Sequence, residues 1–222
     1  MNLEQARFNM IEQQIRPWQV LEPGIDAQLR AVKRELFVPV QYRNLAFAET
    51  QIPLGHGACM LAPGVEARII NALHLKSSDQ VLEVGAGSGY MAALLAAKAQ
   101  HVDSIEIVAE LATFARGNLA KAGVNNVKVV VGNGLALATL AATMEDDIYD
   151  VIVLSGSLPL LPQYLTAHLK IGGRMIVIVG DEVNMEVQLV VRVNAASSTA
   201  VSLFETVAPA LLNGPRSTGF TL

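Results

Sequence analysis

The chemistry-bearing residues of this chain cluster where an apolar run meets three alternating glycines, Val81-Leu82-Glu83-Val84-Gly85-Ala86-Gly87-Ser88-Gly89-Tyr90. Glycines permit positive φ and let the backbone approach a ligand, and a helix starting at Tyr90 would add unpaired N–H donors. Glu83, two residues before the first glycine, can accept a hydrogen bond from a ligand ammonium. Glu106 lies about 20 residues beyond Gly85, at the end of the next apolar run, where a carboxylate can take two hydrogen bonds from ribose hydroxyls. Ile107 stands beside it. Gly132-Asn133-Gly134 closes a third apolar run.

These residues need a sheet to carry them. Val81–Val84, Val102–Ile107, Val127–Val131, Ile148–Leu154 and Met175–Val179 read as buried strands, with helices over Tyr90–Lys98 and Glu110–Ala122 between the first three. Val187–Val193 and Ala200–Val207 have no helix-length spacer and are expected to pair antiparallel. The result is an α/β fold, a doubly wound and mostly parallel sheet whose ligand crevice lies at the strand carboxyl ends. Ahead of it, residues 1–63 form a helical and loop extension packed on a core of residues 64–222. Asn2 is placed to cap a first helix with Gln5 as its capping-box partner, and Leu3, Ala6, Met10, Ile11 and Ile15 form its apolar stripe. Pro17 should end that helix, Pro23 should start a second one carrying Ile25, Leu29 and Val32, and Phe37–Ala62 reads as irregular. A third helix follows Pro63.

Composition narrows the classes. The chain has 222 residues, 52% of them hydrophobic and 16% charged, enough to bury a large core. A net charge of -4, with 16 Lys and Arg scattered along the sequence, argues against a nucleic-acid partner. Cys59 is the single cysteine, so no intramolecular disulfide or cysteine-rich metal site is possible. His74, His101 and His168 lack metal-ligand spacing. Glu4, Arg7 and Glu12 interrupt any secretory signal, and no apolar run reaches about 18 residues, the Leu135–Met144 stretch ending at Glu145. A cytoplasmic protein with no membrane partner is expected. Nothing in the sequence fixes its oligomeric state.

Two cofactor classes compete for the glycine loop. Gly87, Gly89 and Ala92 satisfy the looser dinucleotide pattern G-x-G-x-x-A, which leaves NAD open. The run Glu83-x-Gly85-x-Gly87-x-Gly89 is similar to the first motif of S-adenosylmethionine methyltransferases, and S-adenosyl-L-methionine is the favoured cofactor. The implied binding residues are Glu83, Gly85, Ala86, Gly87, Ser88, Gly89, Glu106, Ile107, Asn133 and Gly134.

A narrower resemblance spans most of the chain. Arg34-Glu35-Leu36-Phe37-Val38-Pro39, Tyr42, Ala46-Phe47 and Pro53-Leu54-Gly55-His56-Gly57 resemble the N-terminal half of protein-L-isoaspartate O-methyltransferases. Tyr149-Asp150, Pro159, Leu169-Lys170, Gly172-Gly173-Arg174 and Val179-Gly180 resemble the second half. The resemblance implies methyl transfer to the free carboxylate of isoaspartyl residues in damaged protein, so the expected partner is a protein or peptide acceptor. It approaches over Pro53–Pro63 and Leu154–Pro159.

The chain departs from the family pattern where the acceptor binds. A Gln-Thr-Ile-Ser-x-Pro segment is replaced by Ala58-Cys59-Met60-Leu61-Ala62-Pro63, so Leu61 stands at the position of an active-site Ser and carries no hydroxyl. Ser155-Gly156-Ser157 stands where the family often has Gly-Ala-Ala, and Asn133 replaces an Asp. These departures lead to an expectation of weak isoaspartyl turnover with cofactor binding intact. The rival readings are a cofactor-binding protein without that activity and an NAD-dependent oxidoreductase. His56 is placed to steer an acceptor or act as a base, or else simply closes its turn. Cys59 reads as a small buried or half-buried thiol, because direct methyl displacement needs no enzyme nucleophile.

Overall fold

A computed structural model describes residues 2–18, 21–136, 149–181 and 184–214. The helices are α1 (Leu3–Asn9), α2 (Ile25–Ala31), α3 (Pro63–Leu73), α4 (Tyr90–Ala96) and α5 (Ala109–Lys121). A hairpin of β1 (Ile52–Gly55) and β2 (Ala58–Met60) precedes α3. The main sheet contains β3 (Gln80–Val84), β4 (His101–Glu106), β5 (Val127–Val131), β6 (Tyr149–Leu158), β7 (Leu169–Gly180), β8 (Met185–Asn194) and β9 (Ser197–Thr206). Its order is β5-β4-β3-β6-β7-β8-β9. The β5, β4, β3, β6 and β7 pairs are parallel, and β8 and β9 are antiparallel additions, as the missing helical spacer predicts. Ile148 and most of Leu135–Met144 lie outside the described residues.

Strands in the middle of this sheet are apolar on both faces because both faces are covered. Val81, Val151 and Val153 face a core built with α3, α4, α5 and the N-terminal segment, and Leu82, Val84, Ile152 and Leu154 face a second cluster with Leu165 and Leu169. Alternation within each strand divides the side chains between the two cores.

The N-terminal half differs in detail from its periodicity. The Asn2 side chain caps α1 through Gln5 N, but the Gln5 amide bonds Asn9 instead of returning to Asn2. The chain passes into a π-helical turn over Met10–Ile15 and a 3-10 turn over Arg16–Trp18, so Pro17 lies within a turn. Gly24, at φ +92°, caps α2, and Pro23 precedes the helix instead of opening it. A 3-10 turn over Arg34–Leu36 leads into the segment expected to be irregular, which holds a second one, Val40–Leu45, and then the hairpin. Strands of four and three residues are too short for a period-2 signal.

One buried cation locks this segment to the core. Arg34 is fully buried; it pairs with Glu66 of α3, donates to Ala46 O at 3.0 Å and Leu61 O at 2.7 Å, and stacks 4.9 Å from the Tyr90 ring of α4. Removing one partner of a buried ion pair leaves the other uncompensated, at about 3–5 kcal/mol. Urea unfolding at pH 8 should show that loss for Arg34→Ala, with partial recovery on adding Glu66→Leu. Additive losses in the double variant would contradict the coupling.

Candidate functional site

The β3 strand delivers its glycine turn to the carboxyl end of the sheet. Gly85 N bonds Ile105 O at 2.8 Å, which ties the turn to β4. Gly87 and Gly89 require glycine for different reasons. Both have positive φ, +53° and +83°. A Cβ on Gly87 would meet Leu54 of the hairpin at 3.1 Å, whereas one on Gly89 would press within 3.2–3.3 Å of the Ala115 backbone in α5. Gly89 thus lets α4 and α5 close together, and Gly87 leaves a slot beneath the hairpin.

Glu106 completes the turn. It is almost wholly buried, and its two oxygens accept Gly87 N at 2.8 Å and Val108 N at 3.0 Å. The carboxylate is therefore oriented before any ligand arrives. Beside it opens a cavity of about 310 Å³ whose wall includes Gly85, Gly87, Glu106, Ile107, Asn133 and Gly134. Asn133 is held by its own turn, Oδ1 accepting Leu135 N at 3.0 Å. Gly134 sits so close to Val84 that a Cβ would lie 2.7 Å from a methyl carbon.

Two further segments close the cavity. His56 to Cys59 of the hairpin line one side. Pro209 to Leu212 line another, a segment with no distinguishing pattern in the sequence. The pairing of β3 with β6 stops at Val84 and Leu154, which leaves that edge at the end of β6 open to hold it. Ser157 N donates to Pro209 O at 2.8 Å, and Leu211 N to Ser157 O at 2.9 Å. Gly156 allows this approach, since a Cβ there would sit 2.9 Å from Pro209 O.

Several predicted site residues lie elsewhere. Glu83 is fully buried behind the turn, where Ser104 Oγ and Ser155 Oγ donate to its two oxygens. It lines a side cavity of about 30 Å³ together with Leu61, Ala86 and Ser88, and the main cavity does not reach it. Gly85, Gly87, Cys59 and Ser155 line both spaces and form the neck between them. Gly89 lies under the turn as the cap of α4. Leu61 also falls outside the main cavity: its side chain belongs to the core, and its carbonyl holds Arg34. The missing hydroxyl at Leu61 therefore concerns the side cavity and not the main one. His56, at φ +54° in the exposed hairpin loop, stands at the cavity edge.

Electrostatics support a quiet thiol and an unusual carboxyl. Burial, followed by the nearby Glu66 carboxylate, pushes the Cys59 thiol up to about 11 despite Arg34, and its S–H points to Gln51 Oε1 at 3.2 Å. Burial also pushes Glu83 up to about 7; its two serine donors oppose the shift and Glu106 adds to it. Among the described residues no group of three His, Cys, Asp or Glu could hold a metal ion.

Comparison with known proteins bears on this site. The family model described as protein-L-isoaspartate(D-aspartate) O-methyltransferase (PCMT) matches residues 5–208. A Rhodopseudomonas palustris protein named protein-L-isoaspartate O-methyltransferase 1 is 41% identical over 176 residues, 79% of this chain and 70% of that one. A protein-L-isoaspartate O-methyltransferase of Hyperthermus butylicus is 36% identical over 199 residues, 85% of this chain and 80% of the other. The fold is shared with a crystal structure from Plasmodium falciparum, assigned as a protein-L-isoaspartate O-methyltransferase in complex with S-adenosyl-L-homocysteine. Its TM-score is 0.78 at 20% identity, covering 95% of this chain and 98% of that one.

The buried Glu83 carboxyl makes stability depend on pH. Its folded-state value of about 7 lies above the ordinary 4.5, so the native state holds this proton more tightly than the unfolded chain. That contribution favours folding below about 4.5 and is lost as pH rises through about 7. Thermal melts of wild type and Glu83→Gln should therefore diverge in favour of the variant between pH 5 and pH 8. A difference independent of pH would show that Glu83 does not titrate in this window.

Proposed function

The chain belongs to the protein-L-isoaspartate(D-aspartate) O-methyltransferase family, and on that premise we propose that it methylates the free carboxylate of isoaspartyl residues at the cavity beside the glycine turn. It is an S-adenosylmethionine-dependent methyltransferase acting on a protein acceptor. Family membership sets aside the nicotinamide alternative that Gly87, Gly89 and Ala92 leave open. The single observation that supports the location best is the Glu106 carboxylate held by Gly87 N and Val108 N on the cavity wall.

The residues present fit the cofactor. A Cβ on Gly87 would close the slot below Leu54, and the Glu106 carboxylate stands where ribose hydroxyls can donate to it. Ile107 and Leu111 offer apolar walls to a purine, with Asn133 beside them for its edge. When bound, S-adenosylmethionine supplies a methyl group already activated by its sulfonium. The chain therefore contributes orientation more than chemistry. Glu106 is preorganised by two backbone donors and needs no rearrangement to receive a ligand. The hairpin and Pro209–Leu212 line two sides of the cavity. Positioning of this kind is a large source of rate in itself.

In this reading the partner is a protein or peptide, not nucleic acid or a membrane, supported by the net charge of -4 and the scattered basic residues. No described helix is long and apolar enough to cross a membrane. A reducing cytoplasmic setting is consistent with the single thiol, Cys59. Leu61 lines the side cavity and not the main one, and turnover of an isoaspartyl peptide tests the weak activity expected from its missing hydroxyl.

Radiolabelled methyl transfer to an isoaspartyl peptide, beside its ordinary aspartyl isomer, tests the function. Label should enter the isoaspartyl peptide alone, as a base-labile ester. Glu106→Ala should weaken the methyl donor by about 1.5–3 kcal/mol, the range for a hydrogen bond to a charged group. Absence of label from wild-type protein that binds the cofactor would contradict the acceptor assignment.

A further inference from the structure

A carboxylate acceptor brought out of water needs hydrogen-bond donors, or its burial is prohibitive. Leu61, at the position where the family carries its active-site Ser, supplies none. Among the described residues lining the main cavity, Ser155 is the one hydroxyl-bearing side chain. The other side-chain donors there are poorly suited or placed elsewhere. The Cys59 thiol is a weak donor already directed at Gln51, and His56 lies on the exposed loop. Asn133 follows β5, on the purine side of the site.

Sheet order gives Ser155 its significance. In β5-β4-β3-β6, Asn133 and Glu106 lie at the ends of β5 and β4, and the glycine turn follows β3. Ser155 is on β6, across the turn from both. A methyl donor reaching from Asn133 and Glu106 to the turn meets its acceptor on that far side. The hairpin adjoins it there, with Cys59 and Ser155 both lining the neck between the two cavities.

Resting on the function proposed above, we propose that Ser155 is the acceptor-binding residue of this chain, its hydroxyl donating a hydrogen bond to one oxygen of the isoaspartyl carboxylate. The hydroxyl absent at residue 61 is thus replaced from a different strand. Holding one oxygen leaves the other to receive the methyl group.

Glu83 controls that hydroxyl. In the structure Ser155 Oγ lies 3.0 Å from Glu83 Oε1 and donates to it, while Ser104 holds Oε2. An ionised Glu83 keeps the Ser155 proton for itself. A protonated Glu83 donates to Ser155 Oγ instead and frees the Ser155 O–H to point into the cavity. The titratable groups around Glu83 are Glu106 on β4, Glu66 on α3 with its partner Arg34, and Cys59 on β2. Burial and the Glu106 carboxylate favour the protonated form, and Glu83 takes up its proton near neutral pH.

The test is isothermal titration of an isoaspartyl peptide into protein saturated with S-adenosylhomocysteine, between pH 6 and pH 8.5. Ser155→Ala should weaken peptide binding by about tenfold or more at pH 6.5, as expected for a hydrogen bond to a charged group. Its affinity for S-adenosylhomocysteine should stay within about twofold of wild type, which also reports that the variant is folded. Wild-type affinity for the peptide should fall as the pH rises past neutrality, whereas Glu83→Gln should flatten that fall. Undiminished peptide binding by Ser155→Ala would overturn the proposal while leaving the function intact. Equal loss of both ligands would overturn it too, by showing a structural role. Wild-type protein that binds S-adenosylhomocysteine but no isoaspartyl peptide would remove the function and this proposal together.

Discussion

The Glu106 carboxylate accepts the backbone N–H of Gly87, and this contact joins the end of β4 to the turn that follows β3. Without it the glycine turn would have a free N–H at its tip and the carboxylate would keep Val108 N alone. With it, a flexible sequence becomes a fixed wall, and a buried charge has a donor on each oxygen. The rest of the site is built outward from this corner. Gly89 lets α4 and α5 close beneath it, and Gly87 leaves room under Leu54. Arg34 acts at one remove: by holding Leu61 O and Glu66 it sets where the hairpin leaves the core, and so how the cavity is covered.

Much of this was legible in the residues because both periodicity and chemistry mark it. Buried parallel strands leave runs such as Val81–Val84, and a ribose-binding carboxylate must fall a fixed distance beyond the glycines. The antiparallel pair β8 and β9 is announced by the absence of a helical spacer. The hairpin is not announced, since its strands are held by tertiary contacts and Gly55-His56-Gly57 resembles any loop. Pro209–Leu212 is also silent. Its place depends on Ser157 and on the open edge of β6 beyond Leu154, neither of which has a local pattern. Leu61 is the instructive case: matching positions with a family pattern locates its backbone, but the side chain goes to the core.

Buried carboxyls set the electrostatic character of this protein. Glu66 and Glu83 are both buried, and both are pushed up to about 7, mainly by loss of solvent. Glu66 has Arg34 as a structural counter-charge, whereas Glu83 is held, among the described residues, by the hydroxyls of Ser104 and Ser155. A carboxyl kept without a cation behind a ligand cavity is costly to folding when ionised. Its hydrogen-bonded link to Ser155 gives it a means of acting on whatever occupies the cavity.

The account rests on one cavity, shaped by the glycine turn and Glu106, that receives S-adenosylmethionine. Isothermal titration with S-adenosylhomocysteine and with NAD tests it most directly, on wild type and on Gly87→Val with its fold verified by circular dichroism. Binding of S-adenosylhomocysteine by wild type, silence with NAD, and loss of binding in a folded Gly87→Val are the predicted results. A branched side chain there would fill the slot under Leu54 at a positive φ that such residues resist. Unchanged affinity in that folded variant would place the cofactor elsewhere and contradict the account.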